Sequence, residues 1–285
     1  MANIKIIRRR IKSAQNISQI TRAMQMVAAS KMKKAQDKAL AGKPYADKIY
    51  AAVRNLAGRV DPEAHNLLKK GESSGSKLYI LISTNKGLLG GLNTNLFRHM
   101  ANWLKNEEKA EFVTIGKKGE SFVVKWGRKL TADFSQNLPF ASNVPAVAKL
   151  VVDGFMSGIY SEVHIIYSNF LTALKQEPLH RLILPITTFE EVGEGQVPDV
   201  REFLIEPDPN TVMNSLLPHY LENQIRSAIF EAEASEHSAR MIAMKNATDA
   251  ALDLMDDLTL QYNKARQEKI TYEIADIVTA RMAVE

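Results

Sequence analysis

The final 67 residues of the chain, His219 to Glu285, contain neither proline nor glycine. At about 1.5 Å per residue, such a stretch can form one helix roughly 100 Å long, well beyond the diameter of a compact domain. A helix of that length cannot be hidden inside an ordinary core and must pair with a second long helix. Only one other segment can supply it. Ile4 to Ala41, at the opposite end of the chain, also lacks both residues.

Both ends carry the pattern that pairing requires. Leu221, Ile225, Ala228, Ala232, Ser235, Ala239 and Ile242 recur at alternating steps of four and three, the spacing of a left-handed supercoil. Most of these side chains are small, so the partner backbone can approach closely. The N-terminal segment offers Ile4, Ile7, Ile11 and Ala14, then, after an expected register shift, Ile17, Ile20, Met24 and Val27, followed by Ala28, Met32, Ala35 and Ala39. The two ends are therefore predicted to form an antiparallel or locally offset intramolecular coiled coil, with the middle of the chain inserted between them. Core packing in a helical bundle explains many such stripes. A bundle on this scale would need several further helices of similar length, and the middle of the chain does not read that way.

Charge is divided between the ends. Residues 1–40 hold ten Lys or Arg against Asp37 alone, a net +9, whereas Thr211 to Glu285 carries seven basic and twelve acidic residues, a net −5. The two segments are complementary, although exposed ion pairs contribute only about 0–1 kcal/mol each. The surplus positive charge faces either solvent or an acidic partner. Nucleic acid is disfavoured because the first aromatic residue is Tyr45, leaving the basic region no ring on which a base could stack. The chain has no cysteine, which excludes disulfides, thiolate catalysis and cysteine-bound metal. No run approaches the 18 or so apolar residues of a membrane span, and the amphipathic, charged start is unlike a secretory signal. A soluble chain beginning at its natural start is expected.

The middle alternates between strand and helix patterns. Strands are expected at Lys77–Ser83, Glu111–Ile115, Glu162–Tyr167, Arg181–Ile186 and Glu202–Ile205, with an acidic, glycine-containing loop at Glu190–Gln196. Helices are expected at Asn93–Asn106, Glu120–Trp126 and Pro145–Tyr160, and a short helical stretch runs from beyond Gly42 and Pro44 to Leu56. Such alternation implies a mostly parallel, Rossmann-like sheet covered by helices. The whole is an α/β chain, with an N-terminal helix over 1–58, an inserted domain over 77–206 and a C-terminal helix over 209–285. Asp208-Pro209 supplies an N-cap acceptor followed by proline at the first helical position, and Pro218 should bend the helix.

The turn Gly87-Leu88-Leu89-Gly90-Gly91, preceded by Lys86, lies where a doubly wound fold binds phosphate, but it matches neither the dinucleotide fingerprint nor the P-loop. A structural tight turn is the favoured reading and a ligand turn the alternative. The six histidines show no metal-ligand spacing, and no nucleophile-elbow motif is present. The sequence predicts no cofactor and no active site.

Several collinear stretches then resemble the γ-subunit family of the rotary F-type ATP synthases, bacterial type. These are Gln19 to Met32, the strand-turn Ser83 to Asn93, Glu206-Pro-Asp-Pro209, Ala239 to Thr248 and Tyr262 to Gln267. The family's closing signature begins as expected with Ile270-Thr271, Glu273 and Asp276, but Ala280-Arg281 stands where a Gly-Ala pair is usual. Alanine for glycine favours helix there by roughly 1 kcal/mol. The resemblance implies a non-catalytic rotor shaft, one copy per complex, turning inside a hexameric ring of α and β subunits. It also implies a foot on the membrane c ring and the ε subunit, at the cytoplasmic face of the bacterial plasma membrane. By the same resemblance, Arg266 and Gln267 form a catch for a β loop, and Met24, Arg240, Lys31, Lys33 and Lys34 face acidic β segments. Ile270, Ile274, Ile277, Val278 and Met282 form an apolar bearing or, alternatively, pack within the shaft; Phe203, Leu204, Ile205 and Glu206 belong to the foot. Without the resemblance, a cytosolic coiled-coil adaptor with an α/β head and a nucleic-acid-binding arm remain as other classes.

Overall fold

The computed structural model describes residues 4–57, 65, 67–69, 75–107, 109–186 and 205–284. The chain forms two compact units, one of Met1–Ser30 with Arg240–Glu285 and the other of Lys31–Ala239. Two long helices, α1 (Ile4–Ala57) and α5 (Pro209–Val284), contribute to both.

In the first unit α1 and α5 pack antiparallel. Ile7 is buried against Leu258 and Ala265, with Ile4, Ile11 and Tyr262 around them, while further along α1 the hydroxyls of Thr21 and Thr248 lie 2.7 Å apart. On the α5 side Met244, Thr248, Ala251, Met255, Leu258, Tyr262 and Ala265 are buried or half-buried at steps of four and three. On the α1 side the same repeat runs through Ile4, Ile7, Ile11, Ala14, Ser18, Thr21, Gln25 and Ala28. The register shift expected at Ile17 does not occur. Ile17, Ile20 and Val27 are 48 %, 59 % and 56 % exposed, and polar residues occupy the seam instead. The reason is local hydrogen bonding. Ser18 Oγ donates to the Gln15 carbonyl and Thr21 Oγ1 is within 3.0 Å of the Ile17 carbonyl, so both hydroxyls enter the interface already satisfied.

The second unit is a three-layer α/β domain. A five-stranded sheet in the order β3-β2-β1-β4-β5 is built from β1 (Ser76–Ile82), β2 (Ala110–Ile115), β3 (Lys129–Asp133), β4 (Tyr160–Phe170) and β5 (Gln176–Leu184). All neighbouring strands are parallel except β4 and β5, which form an antiparallel hairpin. The central strand β1 shows why both faces must be covered. Tyr79 and Leu81 point into a cluster with Leu96 and Met100 of α2 (Leu92–Trp103) and Val123 of α3 (Lys117–Lys125), whereas Leu78, Ile80 and Ile82 point into the opposite cluster. That second cluster collects Val147 and Val151 of α4 (Val144–Met156), Ile49 and Val53 of α1, and Leu217, Leu221, Ile225 and Ile229 of α5. A run buried on both faces is near-continuously apolar, which is how Leu78 to Ile82 reads.

Three sequence expectations shift here. Gly42 and Pro44 do not interrupt α1, because Ile49, Val53 and Leu56 anchor its last turns in the core. The strand β3 was not anticipated: it is a short edge strand whose alternate residues are exposed, with the polar sequence Lys-Leu-Thr-Ala-Asp. The strand expected at Arg181–Ile186 is β5 and begins at Gln176, five residues earlier, because its first half, Gln-Glu-Pro-Leu-His, lacks the apolar run that marks its buried end. Apart from Ile205, the strand expected at Glu202–Ile205 lies outside the described residues, as does the loop Glu190–Gln196. Asp208 caps α5 as expected, its carboxylate accepting from Thr211 N at 2.9 Å and Thr211 Oγ1 at 2.7 Å.

Candidate functional site

In the inserted domain the crevice at the carboxyl end of β1, where a doubly wound sheet would take a ligand, is stoppered. Ile229, Ala232, Glu233 and Glu236 of α5 lie over Ser83, Thr84 and Asn93, leaving about 10 Å³, room for no more than a water. Burial there holds the Glu233 carboxyl above its ordinary range. The polar side chains flanking the glycine-rich turn are tied into the fold itself. Asn85 Oδ1 accepts from Lys117 N at the start of α3 (2.8 Å), Asn85 Nδ2 donates to the Ser135 carbonyl (2.9 Å) and Asn93 Nδ2 to Thr84 Oγ1 (2.7 Å). Leu88 and Gly90 take positive φ, 63° and 58°, which makes this a tight structural turn.

Among the described residues, no three possible metal ligands converge. Two histidines that sequence spacing could not relate do meet. The His164 and His180 rings lie 4.7 Å apart on the hairpin β4–β5, flanked by Tyr79 and Trp103 at 5.0 and 5.4 Å. Burial lowers both, His180 to about 4, so both are neutral at pH 7.

The exposed chemistry lies on the terminal helices. Ala265 is the last buried residue of α5, and every side chain from Arg266 to Ala283 is exposed. Ile270, Ile274, Ile277, Val278 and Met282 are 47 %, 56 %, 68 %, 47 % and 74 % exposed, so among the described residues none of them is packed between the two helices. Nearby polar groups are satisfied along the helix: Thr271 Oγ1 donates to the Gln267 carbonyl at 3.0 Å and Lys269 pairs with Glu273 at 3.4 Å. Among the described residues, the side chains of Arg266 and Gln267 make no hydrogen bond or ion pair. In the same unit Met24 and Arg240 are half-buried. Ile17, Ile20 and Val27, assigned to the seam from sequence, instead line an outer face of α1 with the edge of Met24, at helical spacing. Heptad spacing alone could have found this second stripe. It could not say which stripe faced the partner helix.

In the other unit Lys31, Lys33 and Lys34 are exposed on α1 and, among the described residues, have no side-chain partner. Ile205 is half-buried against the main core and Glu206 is exposed, while Phe203 and Leu204 lie outside the described residues.

A family model described as ATP synthase matches residues 3–284, nearly the whole chain. This chain belongs to the ATP synthase γ-chain family. It is 40 % identical to the ATP synthase gamma chain of Roseiflexus castenholzii, over all of this chain and 99 % of that one. It is 41 % identical to that of Dehalococcoides mccartyi over the full length of both. Among solved structures it resembles a chain of the central stalk and c-ring of Tetrahymena thermophila mitochondrial ATP synthase (TM-score 0.59, 26 % identity, 80 % of this chain and 99 % of that one). A chain from the OSCP/F1/c-ring assembly of the Euglena gracilis enzyme shares the fold (TM-score 0.64, 20 % identity, 99 % and 94 % covered). The γ chain is a non-catalytic, central-stalk subunit of the F-type complex.

Proposed function

We propose that this γ chain is the rotor shaft whose bare α5 end turns within a ring of alternating α and β subunits. The α5 end supports this reading: from Arg266 to Ala283 every side chain is exposed, and six of them, Ile270, Tyr272, Ile274, Ile277, Val278 and Met282, are large and mostly apolar. Exposed apolar stripes of this kind mark contact surfaces. Non-directional apolar contact suits a bearing because no directional bond must break as the neighbours change. Arg266 and Gln267, one turn inside that bearing and unpaired, are the catch for a β loop. Met24, Arg240 and the cluster Lys31, Lys33 and Lys34 face acidic β segments.

Phe203 to Glu206 belong to the foot that meets the c ring and ε. Among the described residues no helix is long and apolar enough to cross a membrane. By its family, the chain sits peripherally, on the cytoplasmic face of a bacterial plasma membrane, one copy per complex. Membrane extraction followed by affinity capture of the tagged chain tests this. Two larger nucleotide-binding subunits should be recovered, each in threefold excess over the tagged chain, with ATPase activity. Capture of the chain alone, or with nucleic acid, would overturn the reading.

A further inference from the structure

Within the α/β domain the hairpin β4–β5 runs along α5, and polar contacts join them at three levels. Arg181 Nη1 donates to Gln224 Oε1 at 3.1 Å, Tyr167 Oη donates to Glu231 Oε2 at 2.7 Å, and Gln176 Nε2 donates to Ser238 Oγ at 3.3 Å while that hydroxyl donates to the Ala173 carbonyl. The α5 partners, Gln224, Glu231 and Ser238, are seven residues apart, so they fall on a single line along the helix. Tyr167 and Ser238 are 1 % and 0 % exposed. Burial and the adjacent Glu231 carboxylate push the Tyr167 phenol well above its ordinary range, so it remains a donor at all working pH values.

What lies between these contacts makes them consequential. From Met213 to Ile229, α5 is keyed into the core by large side chains, including Leu217, Tyr220, Leu221 and Ile225. From Ala232 to Ala239 its buried residues are Ala234, Ser235, Ser238 and Ala239, with Ala232 and the longer Glu233 and Glu236 half-buried over the sheet crevice. Alanine and serine knobs are shallow. They permit close approach but resist rolling or sliding weakly, because interdigitation depends on side-chain depth. Directional hydrogen bonds supply the resistance that packing lacks there.

We infer that Tyr167–Glu231 and the Ser238 latch, with Arg181–Gln224, are torsional stitches that fix the axial rotation of α5 against the sheet, so that twist entering the α/β domain is passed along α5. The inference rests on the rotor reading. These are positioning residues, remote from any nucleotide chemistry.

The test uses the assembled enzyme carrying Tyr167→Phe, Gln224→Leu and Ser238→Ala together. Assembly and unloaded ATP hydrolysis should stay within about twofold of the parent, since each lost contact is a modest net hydrogen bond. With the α and β subunits immobilised, the angular variance of a bead on the α/β domain should rise by about twofold or more, and ATP-driven pumping against an imposed gradient should fall several-fold. Unchanged variance in the assembled triple variant would overturn the inference. Should that variant not assemble, Tyr167→Phe alone, which keeps the ring in place, should still raise the variance, and no rise would overturn it. Glu231→Gln retains the acceptor and should behave as the parent; a rise equal to that of Tyr167→Phe would show that the hydrogen bond is not responsible. Failure of the rotor reading looks different, because the unsubstituted chain would then not co-assemble at all.

Discussion

The register of the α1–α5 seam can be tested by a single cross-link in this cysteine-free chain. Thr21 and Thr248, 227 residues apart in sequence, bring their hydroxyls within 2.7 Å, so Thr21→Cys with Thr248→Cys places two thiols at the same point of the seam. The reduced variant should be less stable than the parent by about 1–2 kcal/mol, because it loses the Thr–Thr hydrogen bond and side-chain bonds to the preceding turns. Oxidation closes a loop of 227 residues, for which chain entropy gives about 5 kcal/mol of stabilisation. Adding oxidant should therefore raise the melting of the helix pair by roughly 10–20 °C, leaving the oxidised variant about 3–4 kcal/mol more stable than the parent. Non-reducing electrophoresis and thermal melts with and without reductant read both effects. Ile20→Cys with Thr248→Cys is the control, since Ile20 is 59 % exposed and turned about 100° away from Thr21. Efficient cross-linking of the Ile20 pair, or none in the Thr21 pair, would show that the seam follows the apolar stripe after all.

Three further outcomes are expected. Arg266→Ala with Gln267→Ala should assemble normally yet lower ATP hydrolysis and proton pumping several-fold, as loss of a charge-assisted contact of about 1.5–3 kcal/mol implies, whereas Arg281→Ala should do much less; the reverse ranking, read on membranes, would reassign the catch. His180 binds a proton at about 4 when folded and near 6.5 when unfolded, so its stabilising effect is full above pH 6.5 and is lost as pH falls towards 4. For a partly exposed ring that amounts to about 1–2 kcal/mol, measurable by urea unfolding followed through Trp103 and Trp126, and His180→Phe should flatten the dependence between pH 7 and 5. Gly154→Ala would place a methyl group 2.3 Å from Cε2 of the buried Tyr160, so overpacking of about 1–3 kcal/mol should outweigh the helix-propensity gain of about 1 kcal/mol. A urea midpoint at or above the parent's would contradict this.

Sequence by itself determined that the two ends must pair and that a mostly parallel sheet lies between them. Both conclusions rest on long-range periodicity: 67 residues without a helix breaker leave few folds open, and strand-helix alternation does the same for the middle. The family resemblance came from something else, collinear stretches of particular residues such as Gln19 to Met32 and Tyr262 to Gln267, and the apolar residues at the end of α5 are legible in the sequence although their exposure is not. Only the tertiary structure decided which of two stripes on α1 becomes the seam. Ile17, Ile20 and Val27 are the more hydrophobic choice, yet Ser18, Thr21 and Gln25 continue the repeat, because hydroxyls bonded to their own helix enter an interface at little cost. The same holds for the His164–His180 pair and for Gln224, Glu231 and Ser238. The first depends on the register of a hairpin and the others join residues 43 to 64 positions apart, and no local pattern encodes a contact whose partner is chosen by how the chain returns upon itself.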